Sequence, residues 1–515
     1  MNESISRKFF RVKPPEEGSH ENSADGVGAG ALERSIGVFP LALMGVGATI
    51  GTGIFFTMAE AVPKAGPSVI LSFLIAALTA GLTALCYAEL SFRIPATGSS
   101  YSFAYATLGE IAAFAMAACL LLEYGLAGSA TAIGWSDYLN NFLLNSIDWQ
   151  IPAKFHSPMI VAGTNGTEIH LDQINIPPMV LVFLCGVLLV RGTRESTAVN
   201  TVMVLLKLGI LVFFAVVAFS GFEAKNFSPF FNPDNSKGYG GMAGVTAAAG
   251  TVFFSFIGLD TVATAGAEVK NPKRSVPIAI LAALVIVTVF YLLVAVAAVG
   301  AQPASKFMGQ EAGLSVILQN VTGKTWPAVL LSAGAVISVF SVTLVTIYGQ
   351  TRILHAISCD GLIPMVFQRL NARTKTPVVN TVIVCVGVGL VAGVVDANFL
   401  WDMVSMGTLT AFIAVSIAVP VMRRKAGSSA NTDGFRVPFG PYLVPVLSIL
   451  SCLFIMKDLS AMTLKVFWIW MVGAMLVYFT YGLRHSRLNK HVGQEPRLPL
   501  VDPHGLEVKD GGQPD

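Results

Sequence analysis

A glycine-rich apolar segment, Gly45–Phe55 with the sequence GVGATIGTGIF, is the first place in the chain where residue types suggest chemistry. Four glycines within nine residues weaken an α-helix, and a break in an apolar helix frees backbone N–H and C=O groups. Freed N–H groups at a helix N-terminus suit a carboxylate, whereas freed carbonyls suit an ammonium. The segment therefore predicts a site for a zwitterion, formed by Thr49, Ile50, Gly51, Thr52 and Gly53.

A second break lies in Thr251–Asp260, which reads TVFFSFIGLD and places Gly258 two residues before a carboxylate. Phe254 and Phe256 could close an apolar lid over a ligand, although ordinary helix packing is an equal alternative. Asp260 could contact the ligand or act as the N-cap of the half-helix that begins there. Glycines could instead allow close helix packing, but two breaks at matching positions favour a binding site.

Ionisable side chains inside apolar segments cost about 2.5 to 3.5 kcal/mol each, so each one is a candidate functional group. Lys207 lies near the middle of the apolar segment 199–220, with no acidic residue within two helical turns. Its ammonium could occupy the place of a bound sodium ion, and burial disfavours the charged form, which would let it exchange a proton. The structural alternative is a lysine held by carbonyls at a helix end.

Glu123 lies midway along another apolar segment, near 108–133, and is a further candidate for substrate contact. If Glu123 and Asp260 both line the cavity, they favour a substrate with a cationic side chain. A carboxylate engaged by the protein itself would instead leave room for neutral substrates.

Glu268 follows Asp260 by two helical turns and lies close to the end of its segment. This position predicts a role in an inner gate, paired with a nearby base. Arg93 and Arg352 are the candidate partners at that mouth, and Glu89 is a similar case at the end of the segment 68–90.

The composition indicates an integral membrane protein. Of 515 residues, 54% are hydrophobic and only 12% are charged, and the mean hydropathy is +0.68. The residues before the first apolar run show no signal-peptide pattern. A net charge of +3 gives no reason to expect a nucleic-acid partner. The six cysteines contain no close-spaced pair, so we expect neither a metal site nor a cofactor.

Apolar runs of about 17 to 25 residues, the length that crosses a bilayer, predict an all-α membrane protein with twelve transmembrane helices. The runs lie near 37–62, 68–90, 108–133, 178–190, 199–220, 243–268, 277–300, 327–350, 378–395, 400–421, 442–456 and 464–482. Of the 33 Lys and Arg residues, 24 fall in segments on the side of the N-terminus and seven on the other side. By the positive-inside rule, both termini are predicted to be cytoplasmic.

The two breaks lie in the first and sixth predicted helices, which indicates two halves of five helices. Since five is odd, the second half enters the membrane from the opposite side, giving an inverted repeat whose broken helices meet at the midplane. This arrangement is similar to the leucine-transporter fold. The predicted divisions are a cytoplasmic segment at 1–36, repeats at 37–220 and 243–421, two further helices at 442–482 and a disordered cytoplasmic tail at 483–515.

Several motifs in order resemble the cationic amino acid transporter branch of the amino acid-polyamine-organocation superfamily, in its bacterial form, over about residues 32–482. They include Ala84–Glu89 (ALCYAE), Arg93–Tyr101 (RIPATGSSY), Leu122–Tyr124 (LEY), Gly134–Leu139 (GWSDYL), Gly258–Gly266 (GLDTVATAG), Glu268–Arg274 (EVKNPKR), Gly349–Arg352 (GQTR) and Asp360–Pro364 (DGLIP). The chain departs from the family pattern at Ala267-Glu268, where two glutamates are usual, and at Phe56–Met58 after the first break.

The resemblance implies amino acid transport by alternating access, with backbone recognition of the substrate's amino and carboxylate groups at both breaks. It also implies that a lysine of the fifth span replaces sodium in proton-coupled members. The positions that match are Gly51, Thr52, Gly53, Lys207, Phe254, Gly258 and Asp260.

The sequence thus predicts a permease of the cell membrane that is sodium-independent and proton-coupled, with cationic amino acids as the leading substrates. The alternatives are a neutral amino acid symporter, an amino acid exchanger and, more remotely, a nutrient sensor that binds without transport. An enzyme would need a metal-ligand cluster or a nucleophile and base within the bilayer, and the sequence offers neither. The expected partners are the substrate, protons and lipid, and a small membrane partner stays open.

Overall fold

Helices, many of them apolar, form most of the part of the chain that the structure describes, because a helix satisfies its own backbone groups where no water is present. The structure, a computed structural model, describes residues 11–13, 36–51, 53–94, 99–163, 166–191, 197–233, 240–264, 269–310, 312–371, 376–426 and 435–491. The α-helices are α1 (Val38–Thr49), α2 (Thr57–Ala65), α3 (Val69–Arg93), α4 (Ser99–Thr107), α5 (Glu110–Ile147), α6 (Ile176–Arg191), α7 (Thr197–Phe219), α8 (Gly241–Phe253), α9 (Thr261–Thr264), α10 (Pro272–Ala301), α11 (Gly313–Thr322), α12 (Trp326–Cys359), α13 (Val378–Val394), α14 (Ala397–Ala426), α15 (Leu443–Met456), α16 (Ala461–Val477) and α17 (Leu483–His485).

Within the described ranges, eight helical stretches are long and apolar enough to cross a membrane. Four shorter apolar helices accompany them: α1, α6, α13 and α15. Each of the twelve apolar runs identified in the sequence coincides with at least one of these helices. The number of crossings, the inverted repeat and the division into repeats stay predictions.

Three helices extend beyond or lie between the apolar runs that the sequence predicts as spans. Helix α5 continues to Ile147, well past the expected end of its apolar run near 133, and Gly134, Ser136, Tyr138 and Asn140 of this extension are buried. The short helices α4 and α11 lie between longer ones. A search for apolar runs cannot detect them, because their polar residues interrupt any such run.

A small antiparallel hairpin lies in the segment between α5 and α6. Its strands are β1 (Ile160–Gly163) and β2 (Gly166–Ile169), with Ile160 opposite Ile169. Ile160 also forms a parallel bridge with Val395 after α13, so the segment is attached to the helical bundle.

Two buried carboxylates, Glu89 and Asp360, connect segments at one end of the bundle. This is the end that contains residues 11–13 and 486–491. Glu89 of α3 is fully buried and accepts from Arg423 Nε of α14 at 2.6 Å and from the backbone N–H of Val437 at 2.9 Å. Asp360, directly after α12, accepts from Lys13 Nζ at 2.8 Å. These contacts fix this end of the bundle in the described conformation.

Candidate functional site

The first predicted break is present between α1 and α2. Helix α1 ends at Thr49, Ile50 is extended with φ −76° and ψ 117°, and Gly51 has φ +123°. Helix α2 resumes only at Thr57. Thr52 lies outside the described residues. The chain therefore leaves the helical path in the middle of an apolar segment, as the glycines predict.

The second predicted break lies between α8 and α9. A single 3₁₀ turn, Phe254–Phe256, follows α8, and Ile257 is extended with φ −68° and ψ 144°. Gly258 then has φ +104°, in the left-handed region that favours glycine. Helix α9 begins at Thr261, so Asp260 occupies the N-cap position that the sequence suggested.

The two breaks lie against each other and run antiparallel. A Cβ on Gly53 would overlap the Cα and Oγ of Ser255, and a Cβ on Gly258 would lie 2.9 Å from the carbonyl oxygen of Ala48. Gly53 thus lies opposite Ser255, whereas the earlier residue Ala48 lies opposite the later residue Gly258, which means that the two segments are antiparallel. This approach brings backbone against backbone, and no side chain larger than hydrogen fits at either glycine.

Tyr291 of α10 joins the two breaks through its hydroxyl group. The Tyr291 Oη lies 2.9 Å from the carbonyl oxygen of Thr49 and 2.7 Å from that of Ser255, and the side chain is fully buried. One hydroxyl hydrogen is thus shared between two carbonyls that the breaks have freed. The Phe256 ring packs edge-on against the Tyr291 ring, with centroids 5.2 Å apart.

A small cavity with a volume of about 20 Å³ lies beside the second break. That volume holds about one water molecule. Its lining comes from α1, α5, the break before α9, and α12: Ala48, Glu123, Tyr124, Ala127, Phe254, Ile257, Gly258, Asp260, Thr261, Val342, Val345 and Thr346.

Two carboxylates dominate the electrostatics of this cavity. Glu123 is 2% exposed and Asp260 is 6% exposed. The Tyr124 hydroxyl donates to Asp260 Oδ2 at 3.2 Å. The lining contains no basic side chain, so the cavity attracts a positive charge or a proton.

Lys207 of α7 lies at the first break, although it does not line the cavity. Its Nζ donates to the carbonyl oxygen of Gly47 at 3.0 Å, in the last turn of α1. A Cβ on Gly51 would lie 3.8 Å from the same Nζ. The buried ammonium therefore occupies the carbonyl end of the half-helix, where the helix dipole stabilises a cation.

Four of the predicted site residues meet at the cavity: Glu123, Phe254, Gly258 and Asp260. Thr49, Ile50, Gly51, Gly53 and Phe256 are buried in the breaks but do not line it. The hydroxyl of Thr49 donates to the carbonyl oxygen of Gly45 in its own helix at 2.8 Å.

The predicted gate is only partly within the described residues, because Glu268 lies outside them. Arg93 pairs with Glu89, four residues earlier on the same helix, at 3.6 Å. Arg352 is exposed and its guanidinium lies 4.8 Å from the centre of the Tyr348 ring. In this part of the chain the two arginines therefore contact their own helices.

Sequence reasoning missed one whole wall of the cavity. Val342, Val345 and Thr346 of α12 face it, but nothing in an apolar helix marks which side will face a cavity. Tyr124 had a usable signal, because it adjoins Glu123 in the segment and carries a hydroxyl. The described residues contain no group of three or more His, Cys, Asp or Glu side chains that could hold a metal ion.

Comparisons with known proteins bear on residues 36–481, which match a family described as amino acid permease. The chain is 38% identical to the methylthioribose transporter of Bacillus subtilis, over 94% of this chain and 99% of that protein. It is also 38% identical to the branched-chain amino acid permease BcaP of Bacillus subtilis, over 90% of this chain and 96% of that protein. The human cationic amino acid transporter 4 is 31% identical over 84% of this chain and 65% of its own length.

The contact between the breaks gives a test of the site's architecture. We expect Gly53→Ala to lower the thermal unfolding midpoint of the detergent-solubilised protein, because the added methyl overlaps Ser255 and overpacking costs about 1 to 3 kcal/mol. Gly387→Ala on α13 is the matched control, since no atom lies within 4 Å of its added Cβ. Equal midpoints for wild type and Gly53→Ala would contradict the described approach of the two breaks.

Proposed function

This chain belongs to the amino acid permease family, and we propose that it moves amino acids across the cell membrane by alternating access, with cationic amino acids as its favoured substrates. The family predicted from the sequence motifs is thereby confirmed. The family and the relatives above are transporters, which agrees with the expectation that the chain is not an enzyme.

One observation carries the choice of substrate class. Glu123 and Asp260 are both buried, and both line the cavity beside the second break without a basic neighbour in the lining. A buried carboxylate is costly unless a cation or hydrogen bonds compensate it. The ammonium or guanidinium of a cationic side chain supplies that compensation when the substrate is bound.

The breaks provide a place for the substrate's common part. In this proposal, N–H groups at the start of α9 bind the substrate carboxylate, and carbonyls at the end of α1 bind its amino group. The site must open first, because Thr261 N–H donates to Gly258 and Tyr291 donates to Thr49 in the closed conformation. Thr49, Ile50, Gly51, Thr52 and Gly53 contribute through their backbone in this proposal, whereas Phe254 covers the bound substrate from the cavity wall.

The size of the cavity requires a conformational change during transport. A volume of about 20 Å³ is far too small for an amino acid, so the walls must separate before one can enter. Helices α5 and α12 supply part of the lining, and α1 and the second break supply the rest. In this proposal, movement between these two groups opens the site. This is the motion that alternating access on an inverted repeat requires.

Lys207 is the proposed coupling group for protons. Its ammonium already occupies the carbonyl end of α1, the position suited to a cation, so transport needs no sodium ion there. Loss of its proton would weaken the contact with Gly47 and release α1. In the same proposal Glu268, Arg93 and Arg352 act at the inner gate, twelve helices cross the membrane, and both termini are cytoplasmic.

Two neutral alternatives follow from the relatives. BcaP is by its name a branched-chain amino acid permease, and the methylthioribose transporter by its name carries a sugar derivative. Carboxylates can accept hydrogen bonds from sugar hydroxyl groups, so methylthioribose is included among the substrates to be tested. An obligate amino acid exchanger would use the same binding site but would couple uptake of one amino acid to release of another instead of to a proton gradient.

The function can be tested with purified protein in sodium-free proteoliposomes that hold an inward proton gradient. Labelled arginine, leucine, alanine and methylthioribose are supplied in separate assays, with an uncoupler as control. We expect arginine to accumulate and the uncoupler to abolish accumulation. Accumulation of leucine, alanine or methylthioribose without arginine would overturn the cationic assignment. Exchange of arginine without any response to the proton gradient would indicate an exchanger.

We expect Glu123→Gln to reduce uptake of arginine relative to alanine by about tenfold, because a charge-assisted hydrogen bond to the side chain is lost. The measurement is kcat/KM for each substrate under one proton gradient. Glu223→Gln is a matched control, since Glu223 is exposed and pairs with Lys225 outside the cavity. Equal losses for both substrates would assign Glu123 a structural role.

We expect Lys207→Ala to abolish accumulation driven by the proton gradient while some substrate binding persists. Substrate binding by the variant, measured in detergent, shows that it is folded. Lys465→Ala is the control, because Lys465 is also a lysine in an apolar helix but is exposed on α16. Unchanged accumulation by Lys207→Ala would remove Lys207 from the coupling mechanism.

A further inference from the structure

A groove lies between α14 and α15, away from the substrate cavity. Its volume is about 170 Å³. One wall is a stripe of α14 and the other a stripe of α15, each with the spacing of one helical face. The lining residues are Ser416, Ile417, Pro420, Val421, Arg424, Tyr442, Pro445, Val446 and Ile449.

The groove is apolar along most of its length and opens on the outer surface of the helices. Ile417 is 40% exposed and Val446 is 48% exposed, on the surface that faces lipid in a membrane protein. Ser416 is the polar residue among the apolar walls. It is buried and its hydroxyl donates to Ser448 Oγ at 2.9 Å, so its hydrogen is satisfied by the protein without a ligand. An acyl chain therefore fits the chemistry of these walls.

The polar end of the groove lies at the surface of the bilayer. Helix α14 is about 45 Å long at 1.5 Å per residue, which exceeds the roughly 30 Å of the hydrocarbon core. Its last turn holds Arg423, Arg424 and Lys425, so this turn lies among the headgroups. Tyr442, at the start of α15, lies at the same level, where tyrosine is enriched in membrane proteins.

Arg424 differs from its two basic neighbours in what it contacts. Arg423 is bonded to Glu89, and Lys425 Nζ donates to the carbonyl oxygen of Thr107 at 2.8 Å. Arg424 is exposed, and its Nε lies 3.3 Å from Tyr442 Oη, a neutral group. Among the described residues no carboxylate forms an ion pair with Arg424, so its charge faces the headgroup layer.

We propose that this groove binds one anionic glycerophospholipid, with an acyl chain against the apolar walls and the phosphate on Arg424 and Tyr442. A guanidinium binds phosphate oxygens in a bidentate fashion, and the Tyr442 hydroxyl donates a further hydrogen bond. Basic groups at the headgroup level recognise anionic lipids by the same chemistry. The site is independent of the proposed substrate cavity.

The test is native mass spectrometry of the purified full chain with phosphatidylglycerol or phosphatidylcholine of the same acyl composition. We expect wild type to retain phosphatidylglycerol about fivefold more than phosphatidylcholine, the factor for one cation at an anionic lipid. Arg424→Gln should remove that preference. Arg484→Gln, an exposed arginine on α17, should keep it.

A second variant tests the apolar part of the site. Val446→Trp fills the groove and should reduce retention of phosphatidylglycerol, while an unchanged melting temperature shows that it is folded. Equal retention of the two lipids by wild type would overturn the proposal. So would equal losses in Arg424→Gln and Arg484→Gln, which would indicate attraction by general charge. Stabilisation of wild type by inorganic phosphate as strong as that by phosphatidylglycerol would overturn the assignment to a lipid.

Discussion

The need to satisfy backbone groups at membrane depth is the constraint on which the site depends. Breaking two helices frees carbonyls and N–H groups that lipid cannot solvate, and each unpaired group would cost several kcal/mol. Neighbouring helices supply the partners. Tyr291 of α10 reaches Thr49 and Ser255. Lys207 of α7 donates to a carbonyl of α1. Breaks of this kind are stable only inside a bundle that places such side chains around them.

The same constraint explains the glycines. The breaks can share Tyr291 because Gly53 and Gly258 let the two backbones approach to contact. Gly258 also takes a backbone conformation that side chains disfavour. The backbone conformation of the breaks, their close approach and the hydrogen bonds from Tyr291 therefore depend on one another. A larger residue at either glycine would disturb all three. A ligand that replaced Tyr291 as partner would have to offer the same polar groups.

The sequence revealed those parts of the site whose residue types conflict with their surroundings. Glycines in apolar runs marked both breaks, and the occurrence of carboxylates in apolar segments marked Glu123 and Asp260. The wall from α12 and the role of Tyr291 could not be read in the same way. Aliphatic residues and tyrosines are common in apolar helices, so their type does not mark a site. Which side of such a helix faces a cavity is decided by packing between segments that are distant in sequence. The short helices α4 and α11 escaped detection for a related reason, because their polar residues obscure the apolar pattern.

The charges of the site link substrate and proton in the proposed function. The lining of the cavity holds two carboxylates, while the nearby ammonium of Lys207 is bound to α1 and does not line it. The Tyr124 hydroxyl satisfies one oxygen of Asp260 but neutralises no charge. In the proposed function, a substrate therefore enters the closed site together with positive charge, either its own or that of a proton, because burying uncompensated carboxylates is costly. A cationic amino acid brings its own, whereas a neutral substrate needs a proton on a carboxylate. In this proposal, the charge of the substrate and the need for a proton both follow from one requirement, that the negative charge of the buried carboxylates be compensated.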